Sequence, residues 1–122
     1  MEIKIPGHVY ELRHLDGNGV TVLDFVKRIG DKYPYNQPPA VEGTTTQEVL
    51  RALINRTKYV DNQSPAFENK IVLEHLRDAL HILECRAARL GGYELGVYAR
   101  SRIEYLPVCN EHQHIQCGKC KE

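Results

Sequence analysis

Two polar residues interrupt the greasy side of a long helical pattern, and they are where chemistry would be sought first. The stretch "SPAFENKIVLEHLRDALHILECRAARLGG", from Ser64 to Gly92, reads as one amphipathic helix. At 100° per residue, Leu73, Leu76, Leu80, Leu83 and Ala87 form one stripe, with Asn69 on it one turn above Leu73. Lys70, Glu74, Arg77, His81 and Glu84 point the other way, toward solvent. A second seam, His75, Ala79, Ile82 and Arg86, runs beside the stripe. An unpaired buried amide costs about 1–3 kcal/mol, so Asn69 needs partners, either in the interhelical turn or on a ligand. A guanidinium beside apolar residues calls for a carboxylate or a phosphate. For Arg86 the ordinary partner is Glu48 or Asp61, and the alternative is a bound anion.

The preceding segment, "TTTQEVLRALINRTKYVDNQ", places Arg56 and Tyr59 at the edge of its apolar arc. Tyr59 is ordinary packing surface on one reading. On the other, an aromatic plane, an amide and a guanidinium together suit a nucleotide: the ring stacks a base, the amide reads polar edges and the cation meets phosphate. A different chemistry belongs to the tail "CNEHQHIQCGKC". Cys109 and His112 make a C-x-x-H pair, and Cys117 and Cys120 a C-x-x-C pair. Two such pairs supply the four N/S ligands of a structural zinc, with His114 competing for the histidine position. The plain reading is a tail with incidental cysteines. Catalytic zinc is not expected, because four protein ligands leave no open coordination position.

The elements that must position these groups follow from pattern and punctuation. Residues 1–30 read as a β-hairpin region, with extended segments from His8 to Leu15 and from Val20 to Ile29 around the turn signal "DGNG". Residues 31–44, "DKYPYNQPPAVEGT", are a Pro- and Gly-rich loop. Residues 45–92 form a helical hairpin. Thr45 and Glu48 make a capping box, and Val49, Leu50, Leu53, Ile54 and Val60 recur at helical spacing. Ser64 and Pro65 suit the cap and first position of the second helix, and Gly91 and Gly92 its end. Residues 93–108 favour extended structure and residues 109–122 are the Cys/His tail. The expected class is therefore α+β in a single domain. The two seams of the long helix are wider than one partner helix covers, which points to a multimer; in the alternative, a monomer, the N-terminal strands cover the second seam.

Bulk properties narrow the function. The chain has 122 residues, with 16 Lys and Arg against 16 Asp and Glu. That balance argues against a broad nucleic-acid surface. No apolar run approaches the roughly 20 residues of a membrane span, and the N-terminus lacks a secretory signal's apolar core, so a cytoplasmic protein is expected. No phosphate-cradling Gly loop or Ser/His/Asp arrangement stands out, so catalysis is not expected.

The hairpin resembles the helical domain of phage-encoded signal sponges, the anti-Thoeris sequestering proteins and their anti-CBASS relatives. The resemblance lies in "EVLRALINRTKYV" and "PAFENKIVLEHLRDALHILECRAAR", at Leu53-Ile54, Arg56, Tyr59, Glu68-Asn69, Ala79-Leu80, Leu83 and Arg86. The upstream "YELRHLDGNGVTVLDFVKR" is similar to the family's N-terminal hairpin. It implies a homo-oligomer (dimer or hexamer), not an enzyme and requiring no cofactor, that captures cyclic ADP-ribose isomers. Some relatives also bind CBASS cyclic oligonucleotides at separate sites. Carried over by position, Tyr59 stacks on adenine, Asn69 hydrogen-bonds the nucleotide and Arg86 neutralises pyrophosphate, with Arg56 a further candidate. The chain departs from the family after Arg86, reading "AARLGGYELGVYAR", which brings in Arg100 and Arg102 as candidates for an altered C-terminal wall. The competing expectation is a small zinc-tailed module that binds nucleic acid or protein.

Overall fold

The computed structural model describes residues 1–28 and 41–92. The chain divides into two units, Met1–Thr46 and Gln47–Glu122, each taken by itself below. The extended segment 93–108 and the Cys/His tail lie outside the described residues, as does most of the loop.

The first unit is a three-stranded antiparallel sheet in the order β1-β2-β3, with β1 Glu2–Ile5, β2 Val9–Arg13 and β3 Val20–Asp24. The expected hairpin is β2 and β3, shorter at both ends than the pattern indicates. Its turn depends on "DGNG": Gly17 and Gly19 take φ of 79° and 98°, a region costly for side-chain-bearing residues. Asp16 Oδ1 accepts from the Asn18 N–H at 2.8 Å. The additional strand, β1, has a signal in "EIKI", which alternates charged and apolar residues before the turn dipeptide Pro6-Gly7. Tyr10 binds this edge together, its hydroxyl accepting from the Gly7 N–H at 3.0 Å while its ring meets Phe25 edge-on at 5.9 Å.

Beyond β3 the backbone continues as isolated bridges, Phe25 to Thr44 and Lys27 to Val41. Gly43 lets the two segments approach. A Cβ there would stand 2.7 Å from both the Asp24 oxygen and the Phe25 carbonyl carbon, and backbone cannot swing aside. The adjoining bonds, Thr44 N–H to Asp24 O at 2.8 Å and Val26 N–H to Thr44 O at 3.0 Å, need that closeness.

The second unit holds two helices, α1 Thr46–Gln63 and α2 Phe67–Gly91. Ile54 clusters with Leu80, Arg51 meets Glu84, and Asp61 meets Asn69 and Lys70. Partners recede along α2 as they advance along α1, so the helices are antiparallel. Leu50, Leu73 and Leu76 pack around the fully buried Ile54 and Leu80. Thr45 precedes the first helical residue, as its capping pattern places it, and Gly92 ends α2 with φ of 81°.

Two expectations are corrected. The start of α2 is not capped by Ser64 with Pro65 at its first position: Ala66 is the N-cap, in extended conformation, without a side-chain cap bond of its own. The carboxylate of Asp61, on α1, instead accepts the Ala66 N–H at 3.0 Å. A carboxylate outranks a hydroxyl as acceptor, and Asp61 already stands at the mouth of the turn. Glu84, assigned to solvent, is fully buried. It follows Leu80 by one turn and lies about 20° from Leu73 around the helix, so its position puts it inside while its charge points it out. Arg51 supplies the counter-charge that makes the position tenable.

Replacing Gly43 with alanine is expected to destabilise the first unit by about 1–3 kcal/mol, the usual cost of forcing atoms into a filled space. A denaturant titration followed by the circular dichroism of the strands measures this. An unchanged midpoint would show that the close approach carries no weight.

Candidate functional site

The outer flank of α1 carries the strongest grouping of candidate residues. Glu48, Arg51, Ala52, Asn55, Arg56 and Tyr59 line an open concavity of about 540 Å³. Their spacing of three and four residues explains the grouping, since such residues stack on one face of a helix. Two of the sequence-derived candidates, Arg56 and Tyr59, thus share one groove. Tyr59 is 57% exposed, and its hydroxyl oxygen receives Gln63 Nε2 at 3.1 Å, leaving the ring open to a planar ligand.

Arg51 is the residue that sequence reasoning missed. Its side chain is 10% exposed, and its Nη2 donates to Glu84 Oε1 at 2.6 Å. Its Nε and Nη1 are buried without a hydrogen-bond partner. Leaving such donors unpaired costs about 1–3 kcal/mol. The available signal was Glu84 itself: an acid placed one turn after Leu80 on the core stripe demands a cation from α1, and Arg51 lies one turn before the core position Ile54.

The other candidates are elsewhere. Asn69 is half-buried and donates through Nδ2 to Asp61 Oδ1 at 3.4 Å, which is the turn-fastening role. Arg86 is exposed and does not line the α1 groove. Asp61, one of the carboxylates considered for Arg86, serves the turn, binding the Ala66 N–H and Lys70 Nζ, each at 3.0 Å. Arg100, Arg102, Cys109, His112, Cys117 and Cys120 lie outside the described residues. Among the described residues no group of three His, Cys, Asp or Glu side chains is placed to hold a metal ion. The pair Cys85 Sγ and His81 Nε2, 3.5 Å apart, has no third member of that kind among the described residues. No helix among the described residues is long and apolar enough to cross a membrane.

The second seam on α2 remains open. Ile82 is 66% exposed, and Phe67, Ile71 and Val72 are exposed at 74%, 42% and 46%. Phe67, Ile71, His75, Ile82 and Arg86 fall within about 100° of arc, which Glu68, Asp78 and Arg89 share, so exposed apolar side chains are interspersed with charges along this face.

Asp61 is also the titrating group of the turn. Its hydrogen bond from the Ala66 N–H, then that from Lys70, hold its pKa below the ordinary 3.8, outweighing the opposing effect of desolvation. A depressed carboxyl pKa stabilises the fold above the unfolded value and loses that contribution as pH falls through the folded one. The stability difference between the wild type and Asp61→Asn is therefore expected to be constant from pH 7 to about 5 and to shrink as pH falls below about 4. Denaturation midpoints at each pH test it; a difference independent of pH would remove Asp61 from the acid response.

Comparison with known proteins adds no assignment: no protein-family model, no curated protein and no solved structure matches the chain.

Proposed function

We propose that this chain is a phage immune-evasion protein that binds and holds cyclic nucleotide immune signals without degrading them, in the cytoplasm of an infected bacterium. The signals are cyclic ADP-ribose isomers of Thoeris systems, and the cyclic oligonucleotides of CBASS are a second class to test. The observation that carries this reading is the α1 groove, in which the exposed Tyr59 ring and the Arg56 guanidinium lie beside the Asn55 amide. Those are a stacking plane, a cation and a two-way hydrogen-bonding group, the set a nucleotide needs. The family resemblance of the hairpin points to the same ligand class and to Arg56 and Tyr59 among its contacts. Asn69 and Arg86 belong to the proposal less directly. Asn69 fastens the turn within one chain, and Arg86 reaches a ligand in the α1 groove only if the groove belongs to a neighbouring copy.

Such a neighbour is supported by the exposed stripe on α2. Exposed apolar side chains grouped on one helix face are a feature of surfaces through which proteins meet. We therefore read the chain as a homo-oligomer assembled through α2. Changing Ile82 to glutamate is expected to lower the assembled mass in native mass spectrometry or light scattering while α1 and α2 stay helical. An identical mass for both proteins would exclude this face as the contact.

The ligand reading is tested by titrating cyclic ADP-ribose and its isomers and then recovering the bound molecule intact by heating. Tyr59→Ala and Arg56→Ala are each expected to weaken binding roughly tenfold or more, since stacking on one aromatic ring contributes about 1–3 kcal/mol per base. Binding no tighter than about millimolar by the wild type, the −4 kcal/mol level of a non-specific contact, would reject the reading. So would recovery of a hydrolysed product.

A further inference from the structure

We infer that Arg51 is a phosphate-binding residue of the α1 groove, held ready by Glu84 and fulfilled by a phosphate or pyrophosphate group of the ligand. The inference deepens the nucleotide reading by naming the seat of its phosphates, and it shares that reading's choice of groove. Three observations carry it. Arg51 lines the groove alongside Asn55, Arg56 and Tyr59. Its side chain is nine-tenths buried, yet Nε and Nη1 have no acceptor. Its Nη2 is fixed on Glu84 Oε1 at 2.6 Å, and Glu84 has no exposed surface on which to move away.

The chemistry follows from the shape of the guanidinium. Its donors form a planar fork that matches two oxygens of a phosphate, and one bond to Glu84 uses only part of it. Rotation about the outer torsions of Arg51, pivoting on the Glu84 bond, presents Nε and Nη1 to an anion in the groove. The carboxylate sets orientation, so Glu84 is a positioning residue and Arg51 the contact. Arg56, five residues on, supplies a second cation on the same flank, and Asn55 a neutral donor. The groove also contains a carboxylate, Glu48. It stands in the first turn of α1, where the helix dipole offsets negative charge, at the opposite end from Tyr59. A ligand whose phosphate lies between Arg51 and Arg56, with its ring towards Tyr59, satisfies all of these groups. A neutral sugar or a bare nucleobase offers the Arg51 donors acceptors but no counter-charge, so the charge-assisted bond is made only with the phosphate.

The test uses the full chain and inorganic pyrophosphate as probe. In ¹⁵N-labelled protein, the Nε–H resonance of Arg51 is followed during titration, with inorganic sulfate as a control for simple ionic effects. The expected result is a saturable shift at Arg51 with pyrophosphate that sulfate does not reproduce at the same ionic strength. Arg51→Lys keeps the charge and the partner for Glu84 but removes the fork, and it is expected to weaken pyrophosphate binding roughly tenfold or more. If Arg51→Lys does not fold, the wild-type resonance alone decides. A resonance that stays still through the titration, or an equal response to sulfate, overturns the inference. So does a folded Arg51→Lys that binds pyrophosphate as tightly as the wild type. These outcomes separate from the parent reading. Cyclic ADP-ribose bound through Tyr59 and Arg56 with a silent Arg51 resonance sinks only the phosphate seat. Pyrophosphate at Arg51 without nucleotide binding sinks only the sponge.

Discussion

The helical unit depends on a buried ion pair. Arg51 and Glu84 meet at 2.6 Å beside the fully buried Ile54 and Leu80, around which Leu50, Leu73 and Leu76 pack. A slip of one helix past the other would break these apolar contacts. The charges make misalignment expensive. Sliding one helix by a turn would part Glu84 from Arg51, and losing one partner of a buried pair costs about 3–5 kcal/mol. The opposite end of the hairpin is fastened by a second polar tie, in which Asp61 receives Ala66, Lys70 and Asn69. Between them these ties set both the register and the turn. The apolar residues fill the interval between them.

That division of labour shapes what each face can do. Because polar groups align the hairpin from inside, α1 can leave Arg56 and Tyr59 on its outer flank, and α2 can leave Phe67, Ile71 and Ile82 on its own. Neither outer face is needed to hold the two helices together. A groove whose lining, among the described residues, comes from one helix is also well suited to binding, since helical spacing sets where its side chains begin and little backbone order has to be acquired when a ligand arrives.

Much of the framework was legible in the sequence. The "DGNG" turn, the start of α1 after Thr45 and the glycine end of α2 each depend on backbone chemistry local to a few residues. What was not legible depended on pairs far apart in the chain. The charge of Glu84 assigns it to solvent until Arg51, 33 residues away, is known to face it. Ser64 looks like a cap until Asp61 is seen to hold the Ala66 N–H. The short strand β1 is marginal alone and gains its identity from pairing with β2. Of the site, Arg56 and Tyr59 were recognisable because residues three apart on a helix share a face in any tertiary setting, whereas Arg51 was hidden by the same missing pair that hid Glu84.

The misfit residues that first drew attention therefore separate into two kinds. Asn69 has a structural explanation within one chain: its amide donates to a carboxylate that also holds two neighbours, and nothing further is required to account for it. Arg86 has none of that kind, being exposed beside Ile82 on a face no part of the hairpin core uses. A guanidinium among exposed apolar side chains is a composition that interfaces favour, arginine being enriched there and lysine depleted. If α2 is the face through which copies meet, Arg86 is placed to act on a neighbour or on a ligand that neighbour holds, and Arg51 to act on a ligand within its own chain. The two arginines then answer to different surfaces, one on each helix.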